Sequence, residues 1–175
     1  MMGRTHAASA AVAALGVAVV VGVPGPAVVV MAGAAWLSGW LPDVDHPASH
    51  AGRLLPPVRW AVRAVSVRTV GVAHRGLSHT VAAALVWGMF VTGLSALWLP
   101  PAAAAWTGVF AATGYLSGVL GDLVTIRSLD HLLWPARVQA GWPKLLRFRT
   151  GRTAERFVFR GLVAAGVFLL PMVAW

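Results

Sequence analysis

At 175 residues and 18.3 kDa the chain is long enough for one domain. Hydrophobic residues make up 58% and charged residues 11%, with mean hydropathy +0.75, against about 45–50% and about 25% in an ordinary soluble protein, which excludes a disordered tail and argues against a soluble enzyme. Fourteen Lys and Arg against five acids give a net charge of +9, and the absence of cysteine excludes disulfides and thiolate metal sites, so any metal must be held by His, Asp, Glu or backbone.

A helix needs roughly 20 apolar residues to cross a hydrocarbon core of about 30 Å. Five stretches approach that length; the first four contain no Lys or Arg, and the fifth holds only Arg160, near its start. The first is Ala7 to Val23, preceded by Arg4 and His6. With small residues near Gly25 and Ala27, this stretch also has the make-up of a signal peptide, whose removal would take His6 with it. Pro24-Gly25-Pro26 separates it from the second stretch, Ala27 to Leu41. Both are short, so a single re-entrant hairpin is the alternative for the pair. Leu41-Pro42-Asp43-Val44-Asp45-His46-Pro47 follows as a loop framed by prolines. Its two carboxylates and imidazole can converge on one cation, or simply form a charged turn that closes a helix.

Pro57 to Val70 is basic and apolar, with Arg59 and Arg63 four apart beside Trp60. It suits a helix in the headgroup plane, although Arg68 falls on another face, and a solvated loop is the competing reading. His74-Arg75-Gly76-Leu77-Ser78-His79 opens the third stretch, Thr80 to Leu99. Gly76 allows a sharp turn that could bring the two imidazoles together, and Ser78 is expected to cap the helix. Arg75 suits a phosphate or carboxylate, or equally a lipid headgroup. Pro100-Pro101 ends this stretch, and the fourth runs from Ala102 to about Val124. Asp122, near its end in otherwise apolar surroundings, calls for a partner. Thr150-Gly151 and then Glu155 read as the start of a helix, with Glu155 suited to its N-terminus, and the fifth stretch is Phe157 to Trp175.

These elements predict an all-α, polytopic membrane bundle of about five transmembrane helices. Every basic residue lies at Arg4, between Arg53 and Arg75, or between Arg127 and Arg160. With five spans these segments share one side, and the positive-inside bias makes that side cytoplasmic. The expected loops there are 42–79 and 125–156, with the N-terminus inside and the C-terminus outside. The charge of +9 is thus mainly a topology signal, with contact to anionic lipid as a secondary reading.

The same side collects the ionisable groups at the helix mouths, where such groups usually mark function. His6, Asp43, Asp45, His46, His74, His79 and Asp122 form the candidate ligand set. Zn²⁺ takes imidazole and carboxylate, and Mn²⁺ or Mg²⁺ favours the carboxylates. Seven candidates exceed what one zinc needs, so either some orient the others or two metals share a carboxylate. Water activated by such a cation points to hydrolysis, with Asp45, His79 and Arg75 as the catalytic candidates.

Several of these segments together resemble a bacterial family, the LexA-binding, inner-membrane-associated hydrolases, also called membrane-bound metal-dependent hydrolases. The resemblance rests on Arg4-Thr5-His6, Leu41-Pro42-Asp43-Val44-Asp45-His46-Pro47 and His74-Arg75-Gly76-Leu77-Ser78-His79-Thr80. It continues through Gly114-Tyr115-Leu116-Ser117, Asp122-Leu123-Val124-Thr125 and Leu133-Trp134-Pro135, in order over almost the whole chain. It implies a multi-pass protein of the bacterial cytoplasmic membrane and hydrolase activity. One departure stands out. The family usually has a histidine four residues before the aspartate of the fourth span, on the same helix face, and here that position is Gly118. His131, Asp130 and His50 are the candidates to replace it; otherwise the site is weakened or inactive.

The leading expectation is therefore a membrane metal-dependent hydrolase whose partners are the bilayer and a lipid-like or phosphoester substrate. The alternative is a catalytically degenerate protein with a structural or vestigial metal site. A transporter normally needs polar groups near the midplane, and the span interiors offer only residues such as Thr92, Ser95, Thr107 and Thr113. Nucleic-acid binding is disfavoured, because Trp134, Trp142 and Phe148 are the one candidate base-stacking group of aromatics outside the spans.

Overall fold

A computed structural model describes residues 3–23, 25, 27–125, 129–136, 138–144 and 147–173. Pro24 and Pro26 of the first break, Arg127 and the terminal Trp175 lie outside the described residues. Seven α-helices account for most of the rest: α1 (Gly3–Val21), α2 (Ala27–Ser38), α3 (His50–Leu54), α4 (Pro56–Val70), α5 (Val81–Ser95), α6 (Pro101–Gly121) and α7 (Thr153–Val173). Short 3-10 turns occupy Leu41–Asp45, Leu77–His79 and Asp122–Val124. Among the described residues the β pairing is confined to two isolated bridges, Thr125 with Phe148 and Leu129 with Ala140.

Among the described residues, four segments are long and apolar enough to cross a membrane: Gly3–Val21, Ala27–Asp45, Pro101–Val124 and Thr153–Val173. The third stretch read from the sequence is shorter as a helix than its apolar run. α5 has 15 residues, about 22 Å at 1.5 Å per residue, and Ala96 to Leu99 form turns. Leu99 and Pro100 each precede a proline, which disfavours helical backbone, and Pro100 is extended (φ −56°, ψ 149°).

Lipid offers no hydrophobic drive for helices to associate, so close backbone approach through small residues does much of the packing. α6 is the centre, in contact with α1, α2 and α5. At Gly108 it meets Gly88 of α5, and at Gly114 it meets Ala35 of α2. A Cβ at either glycine would lie within 2.5 Å of the facing carbonyl oxygen. α1 packs in turn on α2, α6 and α7. Far from the site, Leu15, Ala18, Val28, Met31, Phe110 and Val173 join into one buried cluster that ties α7 to the others. Large side chains such as Val20, Val30, Met89 and Phe168 point outward and are more than 60% exposed, as a lipid-facing surface requires.

α4 covers the expected 57–70 segment and starts one residue earlier. It stays largely exposed and is fixed by polar contacts rather than by an apolar face. Ser66 Oγ donates to Val72 O (2.7 Å) and accepts from the Leu77 N–H (3.1 Å), and Arg63 Nη1 donates to Asp45 O (3.2 Å). The helix thereby ties together the two loops that carry most of the candidate ligands. At the start of α5, Val81 N–H donates to Leu132 O (2.9 Å), and Leu129 and Leu132 pack with Ala84, Tyr115 and Val119.

Candidate metal centre and adjoining cavity

The start of α1, the turn after α2, the turn before α5 and the end of α6 meet at one end of the bundle, and each delivers one residue to a four-membered box. His6 Nε2 lies 3.5 Å from Asp43 Oδ2 and 3.5 Å from Asp122 Oδ1. His79 Nε2 lies 3.5 Å from Asp43 Oδ1 and 3.2 Å from Asp122 Oδ2. Each carboxylate thus presents one oxygen to each histidine. His6, His79 and Asp122 are essentially fully buried.

The donor set fits a divalent cation. Neither His6 Nε2 nor His79 Nε2 makes a hydrogen bond although both are buried, an arrangement that is costly unless something else satisfies them. Bonds of about 2.0–2.1 Å in a tetrahedron would set ligand atoms about 3.3–3.4 Å apart, close to the 3.2–3.5 Å seen here. Among the described residues, His6, Asp43 and Asp122 form a group that could hold a metal ion. Of the three residues considered as replacements at the Gly118 position, none is in that group. His50 instead stacks edge-on against Trp40 (4.5 Å).

A second layer holds these side chains in place. Asp45 is fully buried and spends both oxygens locally: Oδ1 on His74 Nδ1 (2.7 Å), Oδ2 on Ser78 Oγ (2.6 Å) and on the Arg75 N–H (3.2 Å). Ser78 Oγ also lies 3.1 Å from His79 Nδ1. A hydroxyl has one proton, and the Asp45 carboxylate can only accept it, so Ser78 must accept from His79 Nδ1–H. A neutral His79 then has its lone pair on Nε2, facing the box. Tyr115 of α6 donates to Ser78 O (2.7 Å) and anchors the turn. Ser78 is therefore not the cap expected of it; Thr80 caps α5, accepting from the Ala83 N–H (3.0 Å).

The turn itself also differs from expectation. Its left-handed residue is Arg75 (φ 58°), not Gly76. A non-glycine residue there costs of order 1–3 kcal/mol, and such strain gathers at functional sites. Gly76 is required for space instead, because a Cβ would sit 1.9 Å from Ser66 Oγ. The Arg75 guanidinium pairs with Asp122 Oδ2 (3.2 Å) and donates to Thr125 Oγ1 (3.2 Å), while Thr125 Oγ1 donates to Asp122 O (2.7 Å). Thr125 was not among the candidate site residues, although it closes the Asp122-Leu123-Val124-Thr125 segment that carries part of the family resemblance.

The remaining candidates lie beside the box. His74 is 24% exposed, and its ring is 4.8 Å from that of His46 and 5.5 Å from that of His79. Partial burial and the neighbouring His74 hold His46 below the ordinary imidazole value. For His79, burial opposes the charge, but the carboxylates of Asp122 and Asp43 outweigh it and lift the ring to about 9. Glu155 acts as expected at the start of α7, accepting from the Gly151 N–H (2.6 Å).

A cavity of about 1280 Å³ adjoins the box, with Asp43, His46, His74, Arg75 and Thr125 along its site end. Apolar helices that span a bilayer, closed at one end by a carboxylate–imidazole cluster beside a large cavity, define a polytopic membrane protein with a metal-competent centre. The family match agrees: a family described as YdjM inner membrane protein matches residues 1–174, and the chain belongs to it. Over 130 residues it is 33% identical to inner membrane protein YdjM of Escherichia coli (strain K12), and equally to the protein of that name from Shigella flexneri. The match covers 74% of this chain and 61% of each relative, so the chain spans about three-fifths of their length. No solved structure matches the chain. Family and helices together make it a multi-pass protein of a bacterial inner membrane.

Proposed function

We propose that the protein is a metal-dependent hydrolase embedded in the membrane, cleaving an ester or phosphoester at the cytoplasmic face. The observation that carries this reading is the pair of buried imidazole nitrogens, His6 Nε2 and His79 Nε2, facing two aspartates without a hydrogen bond beside a large cavity. A bound Zn²⁺ or Mn²⁺ would supply a Lewis acid and lower the pKa of water at the site. His6, Asp43, His79 and Asp122 would hold it. Asp45 and Ser78 keep His79 in the tautomer that presents Nε2, and Arg75 fixes Asp122 while its charge faces an anionic substrate. His74, oriented by Asp45 and lining the cavity, is placed to protonate a leaving oxygen. In the hydrolysis the water oxygen bonds to phosphorus or acyl carbon and the ester bond breaks. One water proton goes to solvent, and the leaving oxygen takes its proton from His74. The cytoplasmic placement rests on the basic loops.

Gly118 favours the second reading, a structural cation site without catalysis, because no side chain enters the box from that position. A turnover assay separates the two readings, and a fusion tests the orientation. Purified protein loaded with Zn²⁺ or Mn²⁺ should release p-nitrophenol from p-nitrophenyl phosphate, phosphodiester or carboxylic esters, and Asp45→Asn and His79→Ala should abolish it. Stoichiometric metal without turnover on any of them would select the structural reading. Alkaline phosphatase fused after Trp175 should be active, and an inactive fusion would reverse the orientation.

A further inference from the structure

The cavity beside the box extends far beyond what a metal site needs. α1 forms its floor through Ala8, Ala11 and Val12. Trp36 of α2 and Trp40 just beyond it form one wall, and Phe159, Leu162, Val163 and Gly166 of α7 form the other. From Gly3 to Val12 the floor runs about 13 Å at 1.5 Å per residue, close to one leaflet of a hydrocarbon core about 30 Å thick. Beyond Val12 lies the buried cluster around Leu15 and Val173. The lining on α1 thus extends about one leaflet deep, between helices that span the membrane.

Its mouth has the opposite character. Arg4, Arg53 and Arg149 stand around it with Arg75, and Asp43 is the single acid in the lining. The Arg4 guanidinium sits over the Phe159 ring at 5.4 Å, held at the boundary between the basic rim and the apolar wall. Trp36 and Trp40, with ring centroids 4.4 Å apart, stand at the same level, as tryptophans do at a membrane interface. A soluble phosphoester would leave the apolar walls unused, and an acyl chain without an anionic head would leave the arginines unused.

We infer that this cleft takes one molecule of an anionic glycerophospholipid from the surrounding leaflet. Its phosphate sits among Arg4, Arg53 and Arg149, and one acyl chain lies on α1 between α2 and α7. The inference rests on the hydrolase reading only for what happens next: a lipid so seated places its phosphate and glycerol esters beside the box, which names the substrate class.

The test is photo-crosslinking of the full chain in phosphatidylcholine vesicles that carry a trace of phosphatidylglycerol with a diazirine on its acyl chain. Labels should map to α1 between Ala8 and Val12 and to α7 between Phe159 and Gly166. A Cβ at Gly166 would meet Val12 Cγ2 at an ordinary 3.5 Å, so Gly166→Leu extends into the cleft without straining the backbone. It should cut labelling roughly tenfold, the loss expected for excluding about two methylenes. Arg4→Gln with Arg149→Gln should lower labelling by the anionic probe but not by a phosphatidylcholine probe. Should Gly166→Leu fail to fold, Leu162→Trp fills the same cleft from α7 and serves in its place. Labels spread over the outward faces at Met89 and Phe168, unchanged by these variants, would overturn the inference. So would specific labelling abolished by soluble glycerol phosphate at concentrations that leave bulk lipid unaffected, since that would mark a site for a soluble phosphoester. Metal content read on the same samples keeps the two claims apart. Labelling without metal would remove the hydrolase reading alone, and metal without specific labelling would remove the lipid site alone.

Discussion

Gly118→Ala is a sharp perturbation because two effects of known sign oppose each other. Alanine in place of glycine inside a helix gains about 0.5–1 kcal/mol. At this position, however, the new Cβ would lie 2.9 Å from Gly39 O, 3.3 Å from Pro42 Cγ and 3.4 Å from His6 Nδ1. The first neighbour is backbone and cannot swing away, and Gly39 is itself wedged against α1, with His6 O 2.8 Å from where its own Cβ would lie. Overpacking of this kind costs about 1–3 kcal/mol, so the net effect should be a loss of roughly 0.5–2 kcal/mol. For a chain of this size that is a drop of about 2–6 °C in unfolding temperature. Gly118→His, the residue that the resemblance leads one to expect, should cost more and should push His6 out of the box. Thermal unfolding in detergent, with metal content measured on the same samples, reads both effects. A stabilised alanine variant, or a histidine variant that holds metal more tightly at unchanged stability, would show that the backbone has not closed over this position.

Ser78→Ala removes the hydrogen bond that fixes the His79 tautomer and leaves Asp45 with fewer donors; metal affinity should fall by about 10–100-fold while the fold persists. Isothermal titration with Zn²⁺ measures this, and unchanged affinity would remove Ser78 from the site. Asp45→Ala strips partners from His74, Ser78 and the strained Arg75 at once and should cost about 3–5 kcal/mol, read as a lower unfolding temperature. An effect under about 1 kcal/mol would contradict its central position. The carboxylates of Asp122 and Asp43 hold His79 at about 9 against an ordinary 6.5, so in the metal-free protein the ring keeps its proton at pH 7 and loses it as pH rises through 9. Binding of a cation at Nε2 must displace that proton, so at pH 7 affinity should rise with pH, with close to one proton released per ion; pH-independent binding would place the metal elsewhere.

Much of this was legible in the chain. Long apolar runs, with Arg160 the one basic residue inside any of them, marked the spanning helices, because charge is costly in a membrane interior. Helix alternation alone brought His6, Asp43, His79 and Asp122 to one end. The division of labour among the candidates was not legible, because it depends on which oxygen reaches which donor. Asp43 and Asp45 are two residues apart, yet one faces the box while the other orients His74 and Ser78. Ser78 read as a cap because it stands just before an apolar helix, and only the position of Asp45 shows otherwise. The strain at Arg75 was hidden behind Gly76, since a glycine draws the expectation of a turn to itself. The cleft of α1, α2 and α7 carries no sequence signal, being made of ordinary apolar residues whose meaning comes from the arginines around its mouth.

The central claim is that His6, Asp43, His79 and Asp122 are one cation site. Metal content of the detergent-purified protein after exposure to Zn²⁺ or Mn²⁺ and removal of free ion tests it most directly, beside His6→Ala and Asp122→Asn at matched stability. The account predicts stoichiometric metal in the unaltered protein and its loss in both variants. No retained metal in the unaltered protein, or full retention in either variant, would contradict it.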